Sequence, residues 1–127
     1  MTVWIVHPLR AKNGDMDMTS AENFGRLEYI NRRYVYGDEL KEFTDPRLRT
    51  VGNVIPIQFE RNLRDAAFRF NPKSDYLLIG GDHLQLLSLV AMLSQRHKSF
   101  SVLRYDRNID DYIPVRLYSD IASVDQV

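Results

Sequence analysis

The chain has 127 residues, enough for one domain with a real hydrophobic core and no need of metals or disulfides. Apolar residues at 44% and charged residues at 27% give the composition of a folded globular protein rather than a disordered or fibrous one. Seventeen basic and seventeen acidic side chains cancel, so no global field draws the protein to nucleic acid or an anionic membrane. The lack of cysteine removes disulfides, thiolate nucleophiles and cysteine-ligated metals.

The N-terminus, MTVWIVHPLR, has no basic segment followed by an apolar run of signal-peptide length. The longest apolar-rich run, residues 84–93, is interrupted by Gln85 and Ser88 and is about half the length a bilayer requires. The expectation is a cytoplasmic protein with no membrane partner.

Residues 3–6 (VWIV) form an unbroken apolar run suited to a strand covered on both faces, and Pro8 ends it near His7. Residues 10–20 contain Asn-Gly-Asp without hydrophobic period and read as an exposed loop. Thr19 or Ser20 could cap a short helical turn through Ala21 and Phe24. Residues 27–30 (LEYI) and 34–36 (YVY) resemble short strand pieces; Asn31, Arg32 and Arg33 between them fit either a turn or a continuing strand. Residues 39–53 carry charge, Pro46 and Gly52 with little period, which predicts a long irregular connection and a candidate contact surface.

From residue 57 to 70, Phe59, Leu63, Ala66, Ala67 and Phe70 recur at helical spacing after Pro56, and Asn71-Pro72 stops the helix. The opposite face carries Arg61, Arg64 and Arg69 with Glu60 and Asp65. It reads as a solvated face or as a basic contact for acidic groups.

Residues 76–79 (YLLI) form a second apolar strand. Gly80 and Gly81 allow a sharp reversal, and Asp82 suits the N-cap of a helix from His83. Leu84, Leu86, Leu87, Leu89, Val90, Ala91 and Leu93 give that helix a stripe so wide that it should be largely buried. Arg96, His97 and Lys98 complement its C-terminal dipole. Residues 100–105 (FSVLRY) follow one helix length later, as a parallel strand must. A polar turn then leads to residues 112–118 (YIPVRLY), an alternating strand that Pro114 assigns to the sheet edge. The tail from 119 to 127 has no period and reads as loosely held.

The fold expected is therefore one small α/β domain, residues 1–127. It has a mixed sheet with a parallel centre, two main helices and a C-terminal antiparallel hairpin.

Three constellations could carry chemistry. The Gly80-Gly81-Asp82 turn invites comparison with phosphate loops, but it lacks the longer glycine arc, the Lys-Ser/Thr end or three spaced glycines. Asp82 also places negative charge where a phosphate would lie, so no cofactor is implied. If the three apolar strands are parallel, their carboxyl ends gather His7, Asp82, His83 and Asp106, weak candidates for acid–base work or a divalent metal. Each also has a plain role as strand end, cap or turn residue. A serine triad has no nucleophile elbow to build on.

The third constellation is aromatic. Seven tyrosines lie mainly on or beside strands, with arginines interleaved. Arg32, Arg33, Tyr34, Tyr36, Tyr105, Arg107, Tyr112 and Arg116 could form a protein-binding surface, or a stacking face for single-stranded nucleic acid. Neutral net charge favours protein, and the edge hairpin could also pair two copies of the chain.

Gly81-Asp82, Tyr105-Asp106-Arg107 and Tyr112-Ile113-Pro114-Val115 together resemble a pattern in small proteins of tailed bacteriophages: strand, Gly-Asp, apolar helix, aromatic-Asp-Arg turn, Tyr-x-Pro-Val strand. The likeness covers about the last two fifths of the chain. It implies expression in a bacterial cytoplasm and carries over no catalytic residue. The reading is a non-enzymatic phage accessory protein that binds a host or phage protein, as in host takeover. The alternatives are a nucleotide- or metal-dependent enzyme at the strand edge and a nucleic-acid-binding accessory protein.

Overall fold

The computed structural model describes residues 1–11, 14–31 and 57–120. In chain order these hold β1 (Thr2–Ile5), β2 (Arg10–Ala11), β3 (Gly14–Asp15), α1 (Thr19–Glu22) and β4 (Arg26–Tyr29). Next come α2 (Ile57–Arg69), β5 (Tyr76–Leu78), α3 (His83–Arg96), β6 (Ser99–Asp106) and β7 (Asp111–Tyr118). Five strands form one sheet in the order β4-β1-β5-β6-β7. The first four are parallel, and β7 is antiparallel to β6 in a continuous register from Ser99↔Tyr118 to Asp106↔Asp111. The parallel centre, the two main helices and the closing hairpin all match the sequence pattern. Pro114 lies on β7, the outermost strand, where its missing N–H interrupts no inner ladder.

Alternation along each strand sends side chains to two cores. Trp4, Val6, Leu77, Phe100 and Val102 meet Leu63, Ala66, Ala67 and Phe70 of α2 and its end, and Leu89 and Leu93 of α3. On the other face Val3, Ile5, Leu78, Leu103 and Tyr112 meet Ala21 of α1 and Met18 just before it. VWIV has no polar position because both faces of β1 are covered. Each fully buried leucine contributes about 1.5–3 kcal/mol relative to exposure, so this two-sided packing fixes the sheet.

Buried Asp75 joins the start of the sheet to the end of α2. Its Oδ1 accepts from Thr2 N–H at 3.0 Å, and its Oδ2 accepts from Trp4 Nε1–H at 3.1 Å and Asn71 N–H at 2.9 Å.

Several expectations need correction. Residues 10–20, expected as an exposed loop, hold a two-residue antiparallel pair, β2 with β3. The helical turn α1 is not held by a Thr19 or Ser20 cap; Asp17 Oδ1 accepts from the N–H and the hydroxyl of Thr19. Most consequentially, α3 is not buried around its full apolar stripe. It presents Gln85, Leu89 and Leu93 inward, while Leu84, Leu87 and Ala91 are exposed. One sheet face and one neighbouring helix cover only part of a helix's circumference, whatever the remaining residues are. Ser119 is held by its N–H to the Lys98 carbonyl (2.8 Å) and by its hydroxyl to the His97 carbonyl, so the start of the expected loose tail is tied down. Residues 34–36, the 39–53 connection and 121–127 lie outside the described residues.

Candidate functional site

The strand order sets where a site can form. From β1 the chain crosses to β4 on one side, then returns past β1 to β5, so connections leave the carboxyl ends of β1 and β5 in opposite directions. Open parallel sheets place ligands at such a division. Here His7 follows β1 and Gly80-Gly81-Asp82 follows β5, and the structure brings them into contact. The Asp82 N–H donates to His7 Nε2 at 2.8 Å, and His7 Nδ1–H donates to the Pro8 carbonyl at 2.9 Å. These two bonds match the tautomer that donates from Nδ1 and accepts at Nε2.

Gly81 makes the approach possible. Its φ is +91°, and a Cβ there would lie 2.8 Å from Val6 Cγ2 and 3.0 Å from His7 Nε2. Asp82 Oδ2 accepts from Gln85 N–H at 3.0 Å, the N-cap expected of it, and its carbonyl accepts from Leu86 N–H.

The other two members of the proposed acid–base group have local roles of their own. Asp106 Oδ1 accepts from Asn108 N–H at 2.9 Å inside the β6–β7 turn, and His83 is exposed on the first turn of α3. Among the described residues, no three His, Asp or Glu side chains are placed to hold a metal ion.

A group that sequence reasoning missed lies at the same sheet edge. The carboxamides of Gln58, Asn62, Asn31 and Gln85 form a directed chain. Gln58 Nε2 donates to Asn62 Oδ1 (3.1 Å), Asn62 Nδ2 to Asn31 Oδ1 (2.8 Å), and Asn31 Nδ2 to Gln85 Oε1 (2.6 Å). Asn31 and Gln85 are fully buried, and Gln85 Nε2 has no partner among the described residues. The chain ties α2, the exit of β4 and the first turn of α3 together. The only sequence signal for it was Gln85, a polar interruption in an apolar run.

A surface groove of about 340 Å³ has Pro8, Leu27, Glu28 and Tyr29 among its lining residues, beside the same edge. The one charge these residues supply is a carboxylate, which Arg26 pairs at 3.5 Å, so they offer nothing to hold a phosphate.

The Tyr/Arg surface divides as well. Tyr112 is buried, its ring edge-on to Tyr105 with centroids 5.5 Å apart and its hydroxyl toward Met18 Sδ. Burial, then the nearby Tyr29, pushes its phenol up. Tyr112 thus belongs to the core. Arg116 is exposed but committed within the chain: it donates to Ser99 Oγ, Ser101 Oγ and the Pro72 carbonyl, bracing the hairpin against the turn before β5.

Tyr105, Arg107 and Ile109 are exposed at the hairpin end, at the same carboxyl edge. The Tyr105 hydroxyl donates to Asp110, which holds its phenol above the ordinary value. Arg32, Arg33, Tyr34 and Tyr36 lie outside the described residues.

Among the described residues, no helix is long and apolar enough to cross a membrane. A family model described as Phage Pam3 gp32-like protein matches residues 1–119, well beyond the last two fifths that carry the phage-like pattern. No curated protein and no solved structure matches the chain.

Proposed function

Because the chain belongs to the Phage Pam3 gp32-like protein family, we propose that it is a non-enzymatic phage accessory protein that binds another protein, of phage or host, in the bacterial cytoplasm. The observation that carries this reading is the end of the β6–β7 hairpin. Ile109 is 60% exposed there, next to exposed Tyr105 and Arg107, residue types that dominate protein interfaces. Bonds from Tyr105 to Asp110 and from Asn108 to Asp106 order the turn in advance. A preordered loop loses less conformational freedom on binding than a flexible one.

The competing reading, acid–base or ligand chemistry at the strand edge, asks more of its residues. Both ring nitrogens of His7 would have to leave backbone contacts, and the Asp82 carboxylate would have to leave the helix cap.

The test is cross-linking from phage-infected cells with the wild type, Ile109→Asp and Arg107→Ala, followed by reconstitution with the purified captured protein. A partner bound by the wild type and at least about tenfold weaker with Ile109→Asp supports the reading. Equal capture by all three proteins, or salt-steep binding to single-stranded nucleic acid instead, would sink it.

A further inference from the structure

We infer that the outward face of α2 and α3 is a docking surface for an acidic amphipathic helix of a partner protein, an inference resting on the reading of this chain as a protein-binding factor. On α3, Leu84, Leu87 and Ala91 recur at helical spacing and are exposed, Leu87 to 63%. On α2, Phe68 is 68% exposed, and the Arg96 guanidinium of α3 lies 4.3 Å from its ring centroid. The two helices pack side by side, since α2 runs into β5 and α3 runs out of it on the same sheet face. Exposed large apolar side chains along adjacent helices form the kind of surface that receives the apolar face of a third helix.

Charge selects the occupant. The two helices carry four arginines (Arg61, Arg64, Arg69, Arg96) against two carboxylates (Glu60, Asp65), a balance of +2, and α3 itself has no acidic residue. Both carboxylates are already paired within α2, Arg64 with Glu60 at 2.8 Å and Arg69 with Asp65 at 3.6 Å. Arg61 and Arg96 are left without a carboxylate among the described residues, one on each helix. A second copy of the chain would bring the same cations to the contact. A helix with leucines on one face and glutamates flanking them would cover Leu84, Leu87 and Phe68 and place carboxylates at Arg61 and Arg96.

The probe is a fluorescently labelled synthetic helix with leucines at i, i+3 and i+7 flanked by glutamates. It is compared, by anisotropy on the full chain, with a scrambled peptide and with one carrying lysines for the glutamates. The glutamate helix should bind at least about tenfold tighter than either control, weaken as salt screens the contact, and lose about tenfold or more with Leu87→Glu or Arg96→Glu. Leu87→Glu should unfold at the wild-type temperature because the position is exposed, and Arg107→Ala on the hairpin should bind the helix normally. Equal binding of glutamate and lysine helices, no binding, or indifference to Leu87→Glu would overturn the inference. So would self-association of the wild type, seen by sedimentation and abolished by Leu87→Glu, which would make a second copy the occupant. If the helix fails to bind while hairpin-dependent capture persists, only this surface is refuted; if hairpin variants leave capture intact while the helix binds, only the hairpin assignment falls.

Discussion

The Asn31 carboxamide donates to Gln85 Oε1 at 2.6 Å between two fully buried side chains 54 residues apart, and this one bond ties the exit of β4 to the first turn of α3. Removing either partner leaves the other a buried polar group without its bond, which costs about 1–3 kcal/mol. Gln85→Leu and Asn31→Leu should each destabilise by that amount in urea unfolding. Because they break the same bond, the double variant should lose less than the two singles together, with a coupling of about 0.5–3 kcal/mol. Strict additivity would show that the bond contributes nothing.

Asp75 is a buried carboxylate that accepts from Thr2, Trp4 and Asn71. Asp75→Ala would strand the Trp4 indole N–H and leave the start of β1 unpinned from the turn before β5. Bonds to charged groups contribute about 1.5–3 kcal/mol each, and the loss here should reach at least the lower figure. Chemical unfolding followed by Trp4 fluorescence reads both consequences, since the sequence holds one tryptophan. An unchanged midpoint and emission would contradict the role.

Gly81 is held where a side chain is both strained and crowded, with φ at +91° and its would-be Cβ against Val6 and His7. Gly81→Ala should cost about 1–3 kcal/mol from backbone conformation alone, before any displacement of His7. Loss of the Asp82 N–H to His7 Nε2 bond should accompany it. The Asp82 amide proton, followed by hydrogen exchange, should then exchange faster than in the wild type.

The His97 side chain lies at the end of α3 with its ring centroid 6.3 Å from that of Phe70, and its Nε2 is buried with no partner among the described residues. Burial, and then the charge of neighbouring Arg96, lowers its pKa below the ordinary value of 6.5. The unfolded chain therefore binds this proton more readily than the folded one. Folding stability from this group is intact above the unfolded value and is lost as pH falls below it, toward the lower folded value. Tm should thus decline on acidification below about pH 6.5. His97→Phe, which keeps a ring against Phe70 and removes the titration, should flatten that part of the curve. Parallel wild-type and His97→Phe curves would show that His97 does not contribute.

Much of the architecture was legible along the chain. Residues 3–6 are apolar enough to demand cover on both faces, residues 76–79 and 100–105 read as the next two strands, and α2 declares its inner side through Phe59, Leu63, Ala66, Ala67 and Phe70. Asp82 was identifiable as a cap because a helix N-terminus leaves amide protons that a short carboxylate satisfies locally. The site was far less legible. Tyr112 and Arg116 belong to an alternating strand in which every second residue could face out, yet one is core and the other is bonded across the hairpin to Ser99 and Ser101.

The sequence by itself determined the central strands, the two main helices, the antiparallel return over residues 112–118 and the place of Asp82, because period, breakers and caps act between residues close along the chain. Only the tertiary structure decided which side of α3 is inside. By hydropathy Gln85 belongs outside and Leu87 inside; the structure reverses them, because Asn31 supplies the buried partner that Gln85 needs while the sheet and α2 leave Leu87 uncovered. Burying a polar side chain depends on a partner that can lie anywhere in the sequence, and exposing an apolar one depends on what fails to pack over it.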